Sequence, residues 1–287
     1  MKTIHSLSLL FLLPFTSFAQ PIFTDSFAVA SLREDFKRPN KFSQELQLRW
    51  VEVSNDSDFD LLSGIEEEKL AAAVKGKRVL ILIHGMGTPF PRAKNYYRQV
   101  IHWADDAGAQ PYDMVIGLLW PGYQLKPSWL HNGLVFFKAN PHARKSGKKL
   151  SGLLAVLAHE AQSVDLLTHS MGSKVALFAL KHQDIKIGNL FLMAPSIGAK
   201  ALRENRKYGF AGGSVRDKII AFFSTNDPAF RSVGKKKMGH RGIENNNPLT
   251  ENKFLNMDCS AAIRTHSAYW SSQAVFGFLT DYLAEQR

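Results

Sequence analysis

Apolar and polar positions along this chain fall into two alternating textures, short unbroken apolar runs and longer stretches with helical spacing. Val79-Leu80-Ile81-Leu82-Ile83 is a continuous run of the kind expected of a strand covered on both faces. Residues 114–120, 164–169, 189–194, 218–224 and 254–259 have the same character, whereas residues 46–53 partly alternate, as a half-exposed edge strand does. Between the runs lie helical patterns. Glu66-Glu67-Glu68 leads into residues 69–74, a short helix with its acids at the favourable end, closed by Gly76. Residues 92–107 place Tyr96, Tyr97, Val100, Ile101 and Ala104 on one side, and residues 146–162 do the same with Leu150, Leu153, Leu154, Leu157 and Ala161. Further helices are predicted over residues 174–180 and 267–285. Strands alternating with helices predict an α/β fold, a mostly parallel, doubly wound sheet with helices on both faces.

The N-terminus departs from this pattern. Lys2 and His5 precede an apolar run over residues 7–18, interrupted by Pro14 and ending in Ser17-Phe18-Ala19. That order matches a secretory signal peptide over residues 1–19, cleaved after Ala19, and predicts an exported protein, secreted or periplasmic. The run is too short to span a bilayer comfortably, and no other segment approaches transmembrane length. Residues 20–287 suffice for one large α/β domain, with the pattern of a cap or insertion over residues 121–149.

Charge and cysteine content narrow the classes. The formal net charge is +11, from 36 basic and 25 acidic residues, which favours attraction to anionic surfaces. The densest basic stretches, Arg144-Lys145, Lys148-Lys149 and Lys235-Lys236-Lys237, belong to no recognisable nucleic-acid fold, so no nucleic-acid partner is expected. Cys259 is the single cysteine, so an intrachain disulfide is impossible; its place at the end of an apolar run makes it a core residue.

Three residues at strand ends carry candidate chemistry. Ser170 stands where the run ending in Thr168-His169 gives way at once to a helix, with Gly172 two positions on. A sharp strand-turn-helix bend lifts a serine hydroxyl clear of a sheet and needs small neighbours two residues away. Gly172 meets that demand; Thr168, β-branched, departs from it. Ser170 as a simple helix N-cap is the competing assignment. Asp227 follows the run ending at Phe223, and His266 follows the last strand. A serine needs a base to take its proton, imidazole has the right pKa, and a carboxylate behind it fixes the tautomer. Asp258 is the alternative acid and His240 the alternative base. Backbone N–H groups must face the developing oxyanion: Met171, after the serine, and Met86 in the turn His84-Gly85-Met86-Gly87, with Gly85 as the alternative.

Six ordered landmarks carry a resemblance: Ile83-His84-Gly85, Trp120-Pro121, Thr168-His169-Ser170-Met171-Gly172, Ala194-Pro195, Ser224-Thr225-Asn226-Asp227 and His266-Ser267-Ala268-Tyr269. From about residue 78 to 283 the chain resembles the α/β-hydrolase superfamily in its lipase and esterase branch. It is most similar to a poorly characterised group with V-H-G, W-P, A-H-S-M-G, A-P, S-x-N-D and H-S-x-Y landmarks. The resemblance implies Ser170, Asp227 and His266 as a catalytic triad, and a serine hydrolase acting on carboxylic esters. Acyl transfer by the same triad and a non-catalytic binding protein on the same fold are the alternatives.

The segment 121–149 is expected to cover the site. Trp120, Tyr123, Trp129 and Phe136 either line an acyl pocket for a small or lipid-like ester or pack inward on the core. No cofactor is expected, and no metal-ligand spacing stands out.

Overall fold

The computed structural model describes residues 26–36, 38–52, 61–106, 110–123, 129–181, 184–230, 234–245 and 252–286. The expected leader, residues 1–19, lies outside them. In chain order the elements are β1 (Ser26–Asp35), β2 (Arg38–Glu52), β3 (Leu61–Gly64), α1 (Glu67–Val74), β4 (Arg78–Ile83), α2 (Phe90–Asp106), β5 (Met114–Leu119), α3 (Trp129–Glu160), β6 (Ser163–His169), α4 (Gly172–Lys181), β7 (Leu190–Met193), α5 (Ala211–Ser214), β8 (Ile219–Phe223), α6 (Met238–Arg241), β9 (Phe254–Asp258) and α7 (Gln273–Glu285). Short 3-10 turns occupy Pro228–Phe230 and Ala268–Ser271.

The strands join in one sheet in the order β3-β2-β1-β5-β4-β6-β7-β8-β9. Along that order every pairing from β1 to β9 is parallel, and β2 and β3 add an antiparallel edge. The α/β fold expected from the alternation of runs is the fold observed. Side chains alternate along each strand, so one strand feeds two cores. Val79, Ile81 and Ile83 of β4 pack with α1, α3 and α4, while Leu80 and Leu82 pack with α2 and α7. Burial on both faces is why these strands read as unbroken apolar runs.

Two strands were not among the expected elements. β1 inserts between the predicted edge strand and β5, β3 adds a strand beyond that edge, and β2 starts eight residues before the alternating stretch at 46–53. The stretch 121–149, expected as an insertion, is for its larger part the first half of α3, one helix of 32 residues with Pro141 inside it. The last helix also begins later than predicted, after the 3-10 turn that follows His266. None of the described helices is long and apolar enough to cross a membrane.

α3 runs alongside α4. A Cβ on Gly147 would lie 2.4 Å from Phe178 Cβ, and Asn140 meets Lys174. Both helices therefore advance in the same direction, and the residues of α3 before Asn140 run on for roughly 15 Å past the first turn of α4 at about 1.5 Å per residue. That overhang projects on the side of the sheet where the parallel strands end.

Candidate active site

β6 lies in the middle of the sheet, between β4 and β7, and delivers Ser170 to its carboxyl edge. The turn there is strained: Ser170 has φ +51°, a left-handed conformation that a residue with a Cβ seldom adopts. Several bonds over-determine it. The Ser170 N–H donates to Met193 O at 2.9 Å, and its carbonyl accepts from the Ser173 hydroxyl at 2.6 Å and the Ser196 N–H at 3.2 Å. A Cβ on Gly172 would stand 2.5 Å from Ile83 O and 2.7 Å from His84 O, so only glycine fits there. Thr168 is accommodated differently. Its side chain is fully buried, and its hydroxyl donates to Phe191 O at 3.3 Å, so the bulkier residue faces the neighbouring strand.

Asp227 and His266 arrive from the ends of β8 and β9. Ser170 Oγ is 2.9 Å from His266 Nε2, and His266 Nδ1 is 2.8 Å from Asp227 Oδ2. The Asp227 carboxylate is wholly buried, and its other oxygen accepts the Ala229 N–H at 3.0 Å, which sets its orientation. A carboxylate at Nδ1 holds the proton on that nitrogen and leaves Nε2 to accept from the serine. The three residues predicted from sequence are thus brought into one hydrogen-bonded chain. The alternatives are not: Asp258 binds the Ser260 N–H and hydroxyl on the surface, and His240 sits in α6 with its Nδ1 buried and unbonded among the described residues.

The turn after β4 packs directly on this bend, since a Cβ on Gly85 would lie 2.8 Å from His169 Nδ1 and 3.1 Å from Ser170 Cβ. It is tied down by Thr88 Oγ1 to Gly85 O at 3.1 Å, Gly87 N–H to Gly122 O at 3.0 Å and His84 Nδ1–H to Gly85 O at 2.7 Å. None of these bonds uses the N–H of Gly85 or Met86. Met171, on the opposite side, follows the serine with its side chain buried in the core.

Three supporting residues were not singled out from the sequence. Arg33 of β1 is fully buried and donates to Trp120 O, Phe36 O and Thr88 O at 3.2, 3.3 and 2.8 Å, with Nη2 2.9 Å from His84 Nε2. Tyr97 accepts the His84 N–H at 3.2 Å and donates to Leu118 O at 2.6 Å. His169 Nε2–H donates to His266 O at 2.7 Å, and the two imidazoles lie 4.7 Å apart. Burial pushes both His84 and His169 well below the ordinary histidine range, aided by the charge of Arg33 on His84 and by His266 on His169. An arginine inside the apolar run 26–35 was the one sequence signal that could have marked Arg33.

Of the two readings left open for the aromatic residues, Trp120 takes the inward one: it is fully buried, stacked 5.8 Å from the His84 ring, with its indole N–H on His84 O at 2.8 Å. Tyr123 turns toward α3, its hydroxyl 3.0 Å from His142 Nε2. Phe136 is half-buried on α3, packed against the core, and the Trp129 side chain lies outside the described residues. A cavity of about 860 Å³ opens at the amino-terminal edge of the strands, between Arg78, Asp113, Ser163 and Asp217, the opposite end from Ser170. The hydrogen-bonded chain of Ser170, His266 and Asp227 lies at the other edge of the sheet from that cavity. Among the described residues no group of three His, Cys, Asp or Glu is placed to hold a metal ion.

The profile of a family described as "Alpha/beta hydrolase of unknown function (DUF900)" matches residues 64–238, which include Ser170 and Asp227 but not His266. No curated protein sequence matches the chain. Among solved structures, the chain is similar to an uncharacterized protein from Bacillus cereus at 12% identity and a TM-score of 0.42, covering 80% of this chain and 63% of that one. It is also similar to TT1662 from Thermus thermophilus, at 12% identity and 0.44 over 74% of this chain and 89% of that one. A third is a cold-adapted esterase from an Arctic intertidal metagenomic library, at 14% and 0.45 over 84% and 86%.

Proposed function

The chain belongs to the family of alpha/beta hydrolases of unknown function matched over residues 64–238, and from that membership we propose that it is a serine hydrolase that cleaves carboxylic esters through an acyl-enzyme on Ser170. The observation that carries this proposal is the unbroken chain from Ser170 Oγ through His266 to the buried Asp227.

Ser170 Oγ attacks the ester carbonyl carbon while His266 Nε2 takes the hydroxyl proton. Asp227, already bonded at Nδ1, stabilises the imidazolium that results. The oxyanion is held by the N–H groups of Met171 and Met86, aimed across the contact between the two turns. Collapse of the tetrahedral intermediate breaks the carbon–oxygen bond to the alcohol, which leaves with the proton from His266. Water then attacks the acyl group, His266 takes its proton and returns it to Ser170, and the carboxylic acid departs. The substrate is a small or lipid-like ester, met outside the cytoplasm by a chain cleaved after Ala19.

The test is fluorophosphonate labelling of the purified protein with a p-nitrophenyl ester series of rising acyl length. Labelling at Ser170, lost in Ser170→Ala together with ester hydrolysis, supports the proposal. Labelling that persists in folded Ser170→Ala protein overturns it.

A further inference from the structure

Three ammonium groups gather near the elbow, and among the described residues none of them pairs with a carboxylate. Lys174 lies in the first turn of α4, four residues after Ser170, and its Nζ stands 4.9 Å from the centre of the Phe136 ring on the overhang of α3. It also donates to Asn140 Oδ1. Lys237 reaches the same ring at 5.8 Å. Lys237 is brought there by the bridge that pairs it with Gly198 and by the Met238 N–H on Ile197 O at 2.8 Å. That is the loop whose Ser196 N–H bonds the carbonyl of Ser170. Lys207 adds a third cation, 4.9 Å from the Phe178 ring and 5.2 Å from that of Tyr208.

Among the described residues none of the three makes an ion pair. Glu244, on the segment after α6, is engaged by Arg241 at 2.9 Å and Lys200 at 3.9 Å. Lys174 and Lys237 are both half-buried, and burial with no counter-charge costs free energy that a ring face offsets only in part. Burial first, then the charges of Lys237 and Lys207, push Lys174 down to about 8. On the same loop the Ser196 hydroxyl is buried with no hydrogen-bond partner among the described residues. Two of these cations share one ring, and the loop that carries Lys237 also carries the unbonded Ser196 hydroxyl and bonds the backbone of Ser170, an arrangement that matches an anion arriving with the substrate.

We propose that Lys174 and Lys237 form an anion-binding subsite beside Ser170 that takes a carboxylate or phosphate carried by the ester, with Lys207 strengthening the field. This inference rests on the serine-hydrolase proposal and narrows the substrate from a small or lipid-like ester to one that carries an anionic group.

Binding is tested without turnover. Ser170→Ala protein is titrated calorimetrically at about pH 7 and low salt with monomethyl glutarate, inorganic phosphate and the neutral control methyl valerate. Saturable binding of one or both anions, at least tenfold tighter than the control and weakened at least tenfold in the Ser170→Ala/Lys174→Met/Lys237→Met protein, supports the subsite; which anion binds more tightly identifies the group. Equal affinity for the neutral ester, no saturable heat with either anion, or an undiminished affinity in the triple variant overturns it. Binding should also weaken as pH rises through about 8, where Lys174 gives up its charge. Fluorophosphonate labelling of the unsubstituted protein reports separately on the hydrolase proposal, so the two can fail independently.

Discussion

Arg33 Nη2 lies 2.9 Å from His84 Nε2 and donates at 2.8 Å to Thr88 O, so one guanidinium clips both ends of the turn that carries Met86. The group is fully buried, and burial lowers its pKa to about 10, which still leaves it charged at neutral pH. Its bonding partners are three carbonyls and a neutral imidazole. The His84 ring keeps its proton on Nδ1, bonded to Gly85 O, and offers Nε2 to the guanidinium. The result is a rigid turn tied to a buried positive charge, a support for the oxyanion contact proposed for Met86.

Arg33→Met should therefore damage both folding and rate. Four acceptors lose a donor, a loss of about 3–5 kcal/mol by comparison with other broken buried networks. At about 2–4 °C per kcal/mol for a domain of this size, Tm should fall by roughly 10 °C. In the fraction that folds, kcat should drop at least tenfold with KM little changed. Arg33→Lys, whose single ammonium cannot reach all four acceptors, should fall between. An Arg33→Met protein with undiminished Tm and kcat would show that the clip is dispensable.

Gly172→Ala tests the bend itself. The added methyl would press on Ile83 O and His84 O at 2.5 and 2.7 Å, both backbone atoms at the end of a central strand. Either β4 or the elbow must move, and overpacking of this kind costs about 1–3 kcal/mol. A shift of an ångström at Ser170 Oγ should cost about 10²-fold in rate. Gly152→Ala on the exposed face of α3, where nothing lies within 4 Å, is the control and should raise stability by about 0.5–1 kcal/mol. Unchanged kcat/KM in soluble Gly172→Ala protein would contradict the packing described.

What the sequence made legible follows from how each element is buried. β4, β5, β7 and β8 lie between two helical layers, so their runs are almost wholly apolar, and β6 departs from this at Asp165 and at its ends. β1 breaks that texture with Arg33, and β3 is only four residues long, so neither stood out. The first half of α3 was hidden for another reason. Gly133, Pro141 and clustered aromatics are loop signals locally, and burial of Val135, Ala139 and Ala143 overrides them. At the site, Ser170 was legible because it ends an apolar run, and Asp227 and His266 because each follows one. Their supports were not. Arg33 to His84, Tyr97 to Leu118 and His169 to His266 are contacts between residues far apart in the chain, and no local pattern announces them.

Asp227→Asn separates the carboxylate's charge from its shape. The amide can still accept the Ala229 N–H through its oxygen, so the turn should survive. Facing His266, however, it presents an N–H where a carboxylate oxygen stood 2.8 Å away. His266 Nδ1 must then accept, the ring proton moves to Nε2, and the base is blocked where it meets Ser170. We expect kcat to fall by about 10⁴-fold with Tm almost unchanged, the size seen when a triad tautomer is reversed. Rates within tenfold of the unsubstituted protein would mean that Asp227 does not set the tautomer.

Acid stability depends on the second imidazole of the site. His84 and His169 are held neutral in the folded chain, with pKa values pushed well below 6.5 by burial first. In the unfolded chain each takes up a proton near its ordinary pKa of about 6.5. Below that pH the unfolded state binds protons that the native state does not, so their contribution is present above about 6.5 and is lost as pH falls. Each histidine gives a slope of about 1.4 kcal/mol per pH unit once below its unfolded pKa. Asp165 works in the opposite sense, because burial raises its pKa above the usual carboxylate value. Scanning calorimetry from about pH 8 to about 5.5 should show Tm level at first and falling below about 6.5. His169→Leu should lower Tm throughout, since the bond to His266 O is gone, yet flatten the acid slope by about half. It should also cut kcat, because the loop carrying His266 loses its anchor. His169→Gln, able to donate to the same carbonyl, should recover part of the rate while keeping the flattened slope. An acid slope in His169→Leu as steep as in the unsubstituted protein would mean that His169 is not held neutral, and its bond to His266 O would need another explanation.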